Sequence, residues 1–251
     1  MRIALAASGS LGLRSGRVLL ADARIGSLGV LGRQFQSQDS RVVSIDSLDG
    51  WDLVVSDASP GEAPFEEALR TGIPLISPHT AEELAEVAGS APMLAAASPR
   101  SGLPAALVIE AMGRLDAVTA ASVAITVPAR RIPHRFAVSF PTPVGGLWSE
   151  RTDAPVSIPN VPHFFEAPYD GPLFGITVSA EGTIAGESAT VVRGIVDDPE
   201  FLAAIALAGA ALMLIDGALP DGTTEVQDEA ACYLEACAGA GMGVASFNPG
   251  S

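Results

Sequence analysis

The sequence predicts an α/β fold: a doubly wound parallel sheet, followed by a smaller α+β unit with a mostly antiparallel sheet. Three observations carry that expectation. Up to about residue 116, short apolar runs alternate with segments of helical spacing, the pattern of strands buried on both faces of a parallel sheet. Beyond that point the runs alternate internally, as at 118–127, where Val123, Ile125 and Val127 share one face; this fits antiparallel strands with one covered face. A glycine-bearing turn, Ala6-Ala7-Ser8-Gly9-Ser10-Leu11-Gly12, separates the first apolar run from the first helical segment.

In order, the expected strands of the first unit are 2–7, 27–32, 41–45, 51–56, 73–77 and 92–97. Helical spacing covers 13–24, with Val18, Leu19 and Ala23 turned inward, and then 64–71, 81–88 and 104–115. Pro64 falls in a first turn, where its missing N–H does no harm. Runs 41–45 and 51–56 lie too close for a full helix, so a short crossover is expected there. Six such strands match a doubly wound sheet. The second unit is expected to hold strands at 118–127, 135–140, 174–179 and 190–196, with the Pro- and Gly-rich segment 141–170 as an ordered loop. Helices at 199–215 and 225–239 follow, then a short apolar stretch and tail at 241–251. The units divide as 1–116 and 117–251.

Composition supplies the exclusions. Hydrophobic residues make up 48% of the 251 and the mean hydropathy is +0.37, too apolar for a disordered chain. Aromatics are only 5%, so Ala, Leu, Val and Ile must build the core. A formal charge of −15 repels phosphate backbones and anionic headgroups, which argues against nucleic acid or a membrane surface as partner. All 14 basic residues are Arg; codon bias explains this, but it also removes any lysine general base or Schiff base. Cys232 and Cys237 lie five apart on different helix faces, implying neither metal nor disulfide, and are expected to be reduced core thiols. The run 201–215 is too short to span a bilayer and reads as a buried helix. No signal-peptide order opens the chain, so a soluble, cytoplasmic protein is expected.

The turn at Ser8, Gly9, Ser10, Leu11 and Gly12 points to a Rossmann-type dinucleotide site. A pyrophosphate must approach backbone N–H groups at a helix N-terminus, and side chains there obstruct it. Gly9 and Gly12 meet that need, while Ala6 stands where the usual first glycine would be. The alternative is a tight strand-to-helix turn without a ligand. At the second strand's end, Arg33 would pair with an adenosine 2′-phosphate and favour NADP, with NAD as the other option; a solvated surface Arg is the alternative.

Loops at the carboxyl ends of later strands converge on the same crevice. Asp57, Ala58, Ser59 and Pro60 follow the fourth strand, His79 the fifth, and Ser98 and Arg100 the sixth. Ala58, Ser59, Pro60 and Ser98 would line the nicotinamide ribose side. His79 and Asp57 are the proton-transfer candidates, with Asp57 alternatively a helix cap. Arg100 would bind an anionic small-molecule substrate or be a surface charge. Arg130, Arg131, His134 and Arg135 form a dense basic cluster; His134 and Arg135 would gather the substrate, or the cluster balances acidic neighbours. His163, Glu166, Tyr169 and Asp170 match no metal or triad spacing and read equally as loop packing.

These residues together resemble the saccharopine dehydrogenase-like NAD(P)-binding oxidoreductases. The resemblance runs through Ser8–Gly12, similar to the family's GxxGxxG, then Leu31-Gly32-Arg33, the run Trp51-Asp52-Leu53-Val54-Val55 ending at Pro60, and Gly72-Ile73-Pro74-Leu75-Ile76-Ser77-Pro78. Near the end, the apolar helix, Asp216-Gly217 to Asp221-Gly222 and the following helix are similar to the family's closing segment. Dihydrodipicolinate reductases share parts of the pattern. The resemblance implies hydride transfer between a nicotinamide cofactor and a small polar substrate, with 117–251 used for substrate binding and contacts of a homodimer. The missing lysines and Ala6 depart from the family, leaving as the alternative a non-catalytic dinucleotide-binding sensor or partner subunit.

Overall fold

The computed structural model describes residues 1–32, 37–87, 92–126, 136–141, 147–152, 173–217 and 222–247. Its first sheet begins with six parallel strands: β1 (Arg2–Ala6), β2 (Ser27–Leu31), β3 (Val42–Ile45), β4 (Leu53–Ser56), β5 (Leu75–Ile76) and β6 (Met93–Ala95). They lie in the order β3-β2-β1-β4-β5-β6. The chain thus builds outward from β1 in one direction, then returns and builds the other way, which is the doubly wound arrangement expected. Between β3 and β4 there is no helix, as the short spacing required.

Side chains leave these strands alternately to two cores. Ile3, Leu5, Leu28, Leu53, Val55, Ile76 and Leu94 face one; Ala4, Val54, Leu75 and Met93 face the other, with Phe65 and Ala68 packed on them. Burial on both faces is why the sequence shows unbroken apolar runs. The helices are α1 (Gly9–Ala21), α2 (Ala63–Thr71), α3 (Ala81–Leu84) and α4 (Gly102–Met112). α1 starts at the glycine turn and stops sooner than the spacing implied, leaving Ala23 exposed beyond its end. Thr80 and Glu83 close a capping box on α3, and Gly72 at φ 68 terminates α2.

β7 (Ala117–Thr126), β10 (Phe174–Ile184) and β11 (Glu187–Asp197) form an antiparallel sheet, while β8 (Phe136–Pro141) and β9 (Leu147–Thr152) pair as a two-stranded ribbon. β9 corrects the expectation of loop throughout 141–170; a ribbon needs only a local partner, and the neighbouring prolines and glycines hid it.

α5 (Pro199–Asp216) then returns to pack on α1. Asp198 accepts the Glu200 and Phe201 amides at 3.1 and 3.0 Å and caps it, with Pro199 in the first turn. Most of the helix is buried, as its apolar run implied. β12 (Thr223–Glu225) joins the first sheet parallel to β6 as a seventh strand. A 3-10 turn (Val226–Glu229) leads to α6 (Ala230–Gly239), so the expected helix 225–239 begins late. β13 (Ala245–Phe247) finishes in the second sheet beside β11. The chain therefore crosses between the first and second sheets three times, and α4, α5 and α6 share one core with both.

Candidate functional site

The place where the strand order reverses lies between β1 and β4, whose register pairs Ala6 with Ser56. Ser56 Oγ donates to the Ala6 carbonyl at 3.2 Å and ties the two strand ends together. Gly9 follows with φ 55, a left-handed conformation that a side chain disfavours. Gly12 is buried, and a Cβ added there would lie 2.2 Å from the Ala7 carbonyl oxygen. Its amide donates to Ser8 O at 3.1 Å, the first bond of α1. Gly9, Ser10 and Leu11 thus present the leading amides of the helix, which have no carbonyl one turn back. Ser8, at the N-cap, makes no capping bond with its side chain, and the first turn holds no acidic residue.

Asp57 occupies the neighbouring loop. Its two carboxylate oxygens each accept from the Ser8 amide at 3.2 Å, and Oδ2 also accepts from Ser8 Oγ at 3.2 Å. The N-cap of α2 is Glu62, so the helix-cap alternative for Asp57 does not apply. Ala58 is buried with its amide on Ser56 Oγ at 3.0 Å, and the exposed Ser59 donates its amide to Glu62 Oε2 at 2.7 Å. Pro60 continues the same loop toward α2.

The ends of β5 and β6 form a second knot. Ala97 N–H donates to Ser77 O at 3.0 Å, and Ala96 N–H to His79 O at 2.6 Å. Ala96 has φ 59, a left-handed conformation costly for a residue with a Cβ. Its carbonyl accepts from the Ser98 and Gly102 amides at 2.7 and 3.0 Å. The His79 side chain is 25% exposed, with Nδ1 3.7 Å from Glu83 Oε2. Its Nε2 is buried and has no hydrogen-bond partner among the described residues. Ser98 is buried, and its Oγ accepts the Arg100 amide at 3.1 Å. Arg100 is exposed and pairs with no carboxylate among the described residues; partial desolvation lowers its pKa, yet a guanidinium stays charged.

The structure therefore brings Ser8–Gly12 together with Asp57–Pro60, and His79 together with Ser98 and Arg100, all at the carboxyl edge of one sheet. Arg33, His134 and Arg135 lie outside the described residues, as do Arg130, Arg131, His163, Glu166, Tyr169 and Asp170. Sequence reasoning missed Glu83 and Ala96. Glu83 was signalled by its spacing of four from His79 and by the Thr80–Glu83 capping pair; nothing signals a left-handed Ala.

Two other features sit apart from this edge. A cavity of about 850 Å³ lies among the ends of α1, α5 and α6 and includes none of the candidate residues. Burial pushes the Cys237 thiol up to about 12. Cys232 is exposed, not a core thiol as expected, because the five-residue spacing turns it to the outer face of α6.

No protein-family model matches the sequence, and no curated protein matches it. Solved structures do match, through fold. A mutant meso-DAPDH of Clostridium tetani E88, with DAP, has a TM-score of 0.56 and 13% identity over 93% of this chain and 95% of its own. The C. glutamicum DAP dehydrogenase in complex with DAP has 0.55 and 14%, over 91% and 93%. An engineered D-amino acid dehydrogenase bound to NADP+ has 0.54 and 14%, over 91% and 93%. This chain has their two-domain α/β fold. Among its described residues, no helix is long and apolar enough to cross a membrane, and no His, Cys, Asp and Glu cluster would hold a metal.

Proposed function

We propose that this chain is an NAD(P)-dependent oxidoreductase, with NADP the preferred dinucleotide and a small polar substrate of the amino-acid class. One observation carries the reading: the glycine turn stands at the point where the strand order reverses between β1 and β4, the place where open α/β sheets bind ligands. The turn also suits a pyrophosphate, because Ser8 leaves the leading amides of α1 uncapped and a Cβ built at Gly9 meets nothing within 4 Å. The structural neighbours named with NADP+, DAP and D-amino acids make those the first ligands to test.

Residues 1–116 would hold the dinucleotide, which supplies the hydride donor or acceptor at its nicotinamide ring. Backbone amides of Gly9, Ser10 and Leu11 would receive the pyrophosphate, and Arg33 the adenosine 2′-phosphate. Ala58, Ser59, Pro60 and Ser98 would line the ribose side. Arg100, with His134 and Arg135, would orient the substrate's carboxylate. Of the two proton-transfer candidates, His79 is favoured, since the Asp57 carboxylate is engaged with Ser8. Residues 117–251 would complete the substrate pocket and a homodimer contact, as the saccharopine dehydrogenase-like resemblance implies.

The test is NADPH and NADH binding by calorimetry, then turnover followed at the nicotinamide absorbance with a panel of L- and D-amino acids and 2-oxo acids. Arg33→Asp is expected to weaken NADPH more than tenfold while sparing NADH. Equal losses would remove Arg33 from the adenosine site. A second reading, a dinucleotide-binding subunit without turnover, is favoured by the absence of lysine and by Ala6 in place of the usual first glycine. Tight binding with no turnover across the panel would select it.

A further inference from the structure

We propose that Asp57 sets the affinity of the glycine turn for an anionic ligand: its carboxylate holds the leading donors of the turn in the free protein, and a pyrophosphate must displace or repel it. The inference rests on the reading of the turn as a dinucleotide site. A serine with the extended backbone of Ser8 (φ −94, ψ 158) ordinarily turns its hydroxyl back to cap its own helix. Ser8 does not. Its amide and its hydroxyl both donate to Asp57, so both donors just ahead of Gly9 are committed to one carboxylate.

That carboxylate is held without a counter-charge. No arginine or histidine pairs with Asp57 among the described residues, so only the Ser8 donors and the positive end of α1 support it. The same helix end would attract a phosphate to the Gly9, Ser10 and Leu11 amides. A ligand phosphate and Asp57 would then stand as like charges at one helix terminus, where mutual repulsion opposes binding. The Asp57 negative charge thus makes the turn selective, lowering affinity for any pyrophosphate whose remaining contacts do not compensate. A purely structural clamp would act the opposite way, since loosening it would disorder the turn and weaken every ligand.

Asp57→Asn separates the two, because the amide oxygen still accepts from Ser8 while the charge is gone. Asp57→Gln, neutral and still an acceptor, serves the same comparison if the Asn variant fails to fold, with thermal unfolding as the check on both. NADPH and inorganic pyrophosphate are titrated calorimetrically into the wild-type protein and each variant, and the Ser8 amide is followed by NMR. The expected result is binding of both probes about tenfold tighter in the neutral variants. The Ser8 resonance of the free wild type should also shift on ligand addition, reflecting release of the carboxylate. Measurable binding that is unchanged or weaker in the variants overturns the role of Asp57 and leaves the dinucleotide reading standing. Failure of every protein to bind NADPH, NADH or pyrophosphate overturns the reading itself, and the role of Asp57 with it.

Discussion

Arg193 of β11 lies against Glu110 of α4, with Nε 3.0 Å from Oε2 and Nη2 3.2 Å from Oε1. Arg193 is buried, and its Nη1 also donates to Ser246 Oγ of β13. Arg114 reaches the same Glu110 carboxylate from the end of α4 at 2.5 Å. One carboxylate therefore fixes the helix between the sheets to an inner strand of the second sheet. Glu110→Ala would leave a buried guanidinium without its counter-charge, a change expected to cost about 3 kcal/mol in urea unfolding. Glu110→Gln, which keeps an acceptor, should cost less. A loss under 1 kcal/mol for the Ala variant would mean that water or Ser246 takes over the pair.

The two glycines of the turn are expected to respond differently, since different constraints select them. At Gly12 a methyl group would stand 2.2 Å from the Ala7 carbonyl oxygen, so Gly12→Ala must push α1 off the end of β1, at about 3 kcal/mol. At Gly9 a methyl group has open space, and only the left-handed φ of 55 opposes it, about 1 kcal/mol. Thermal unfolding ranks the two. NADPH titration then separates stability from function: Gly9→Ala should weaken binding more than its stability loss accounts for, because its methyl occupies the space above the turn.

Legibility followed the physics of each element. Runs buried on both faces, such as Leu53-Val54-Val55, read clearly because no polar residue interrupts them. β12 did not, since Thr223, Thr224 and Glu225 carry no apolar pattern and form a strand only because β6 offers them a free edge. The site divides in the same way. Gly9 and Gly12 announced a bare turn, and the strand ends placed Asp57 and His79 at the mouth. The partner that Asp57 chose, Ser8, depends on β1 and β4 being neighbours, a long-range fact that local sequence does not carry.

Alkaline pH should destabilise the α5–α6 core. Burial raises the Cys237 thiol from 9.0 to about 12, and raises the Tyr233 phenol well above its ordinary 10.0. Both groups therefore keep their protons in the folded chain at a pH where the unfolded chain has lost them. Their contribution is fully present below about pH 9 and is lost as pH rises toward 12. Each group contributes a slope of up to about 1.4 kcal/mol per pH unit within its own window. Urea midpoints from pH 8 to 11 measure it, and Cys237→Ala should flatten the fall that begins near pH 9. An unchanged slope in that variant would assign the whole effect to Tyr233.

Ala96 offers a test of whether strain at the mouth serves binding. Its φ of 59 is tolerated because Ser98, Gly102 and Ser101 all donate to its carbonyl and its amide is committed to His79. Ala96→Gly relieves the left-handed penalty of about 1 kcal/mol, partly offset by the greater freedom of the unfolded chain. A net gain of about 0.5 kcal/mol in stability is expected. If the strain serves to hold His79, Ser98 and Arg100 in place, the same substitution should weaken substrate and dinucleotide binding while it raises the unfolding midpoint. A variant that gains stability and binds as well as the wild type would mean that the Ala96 conformation is only a by-product of the turn from β6 into α4.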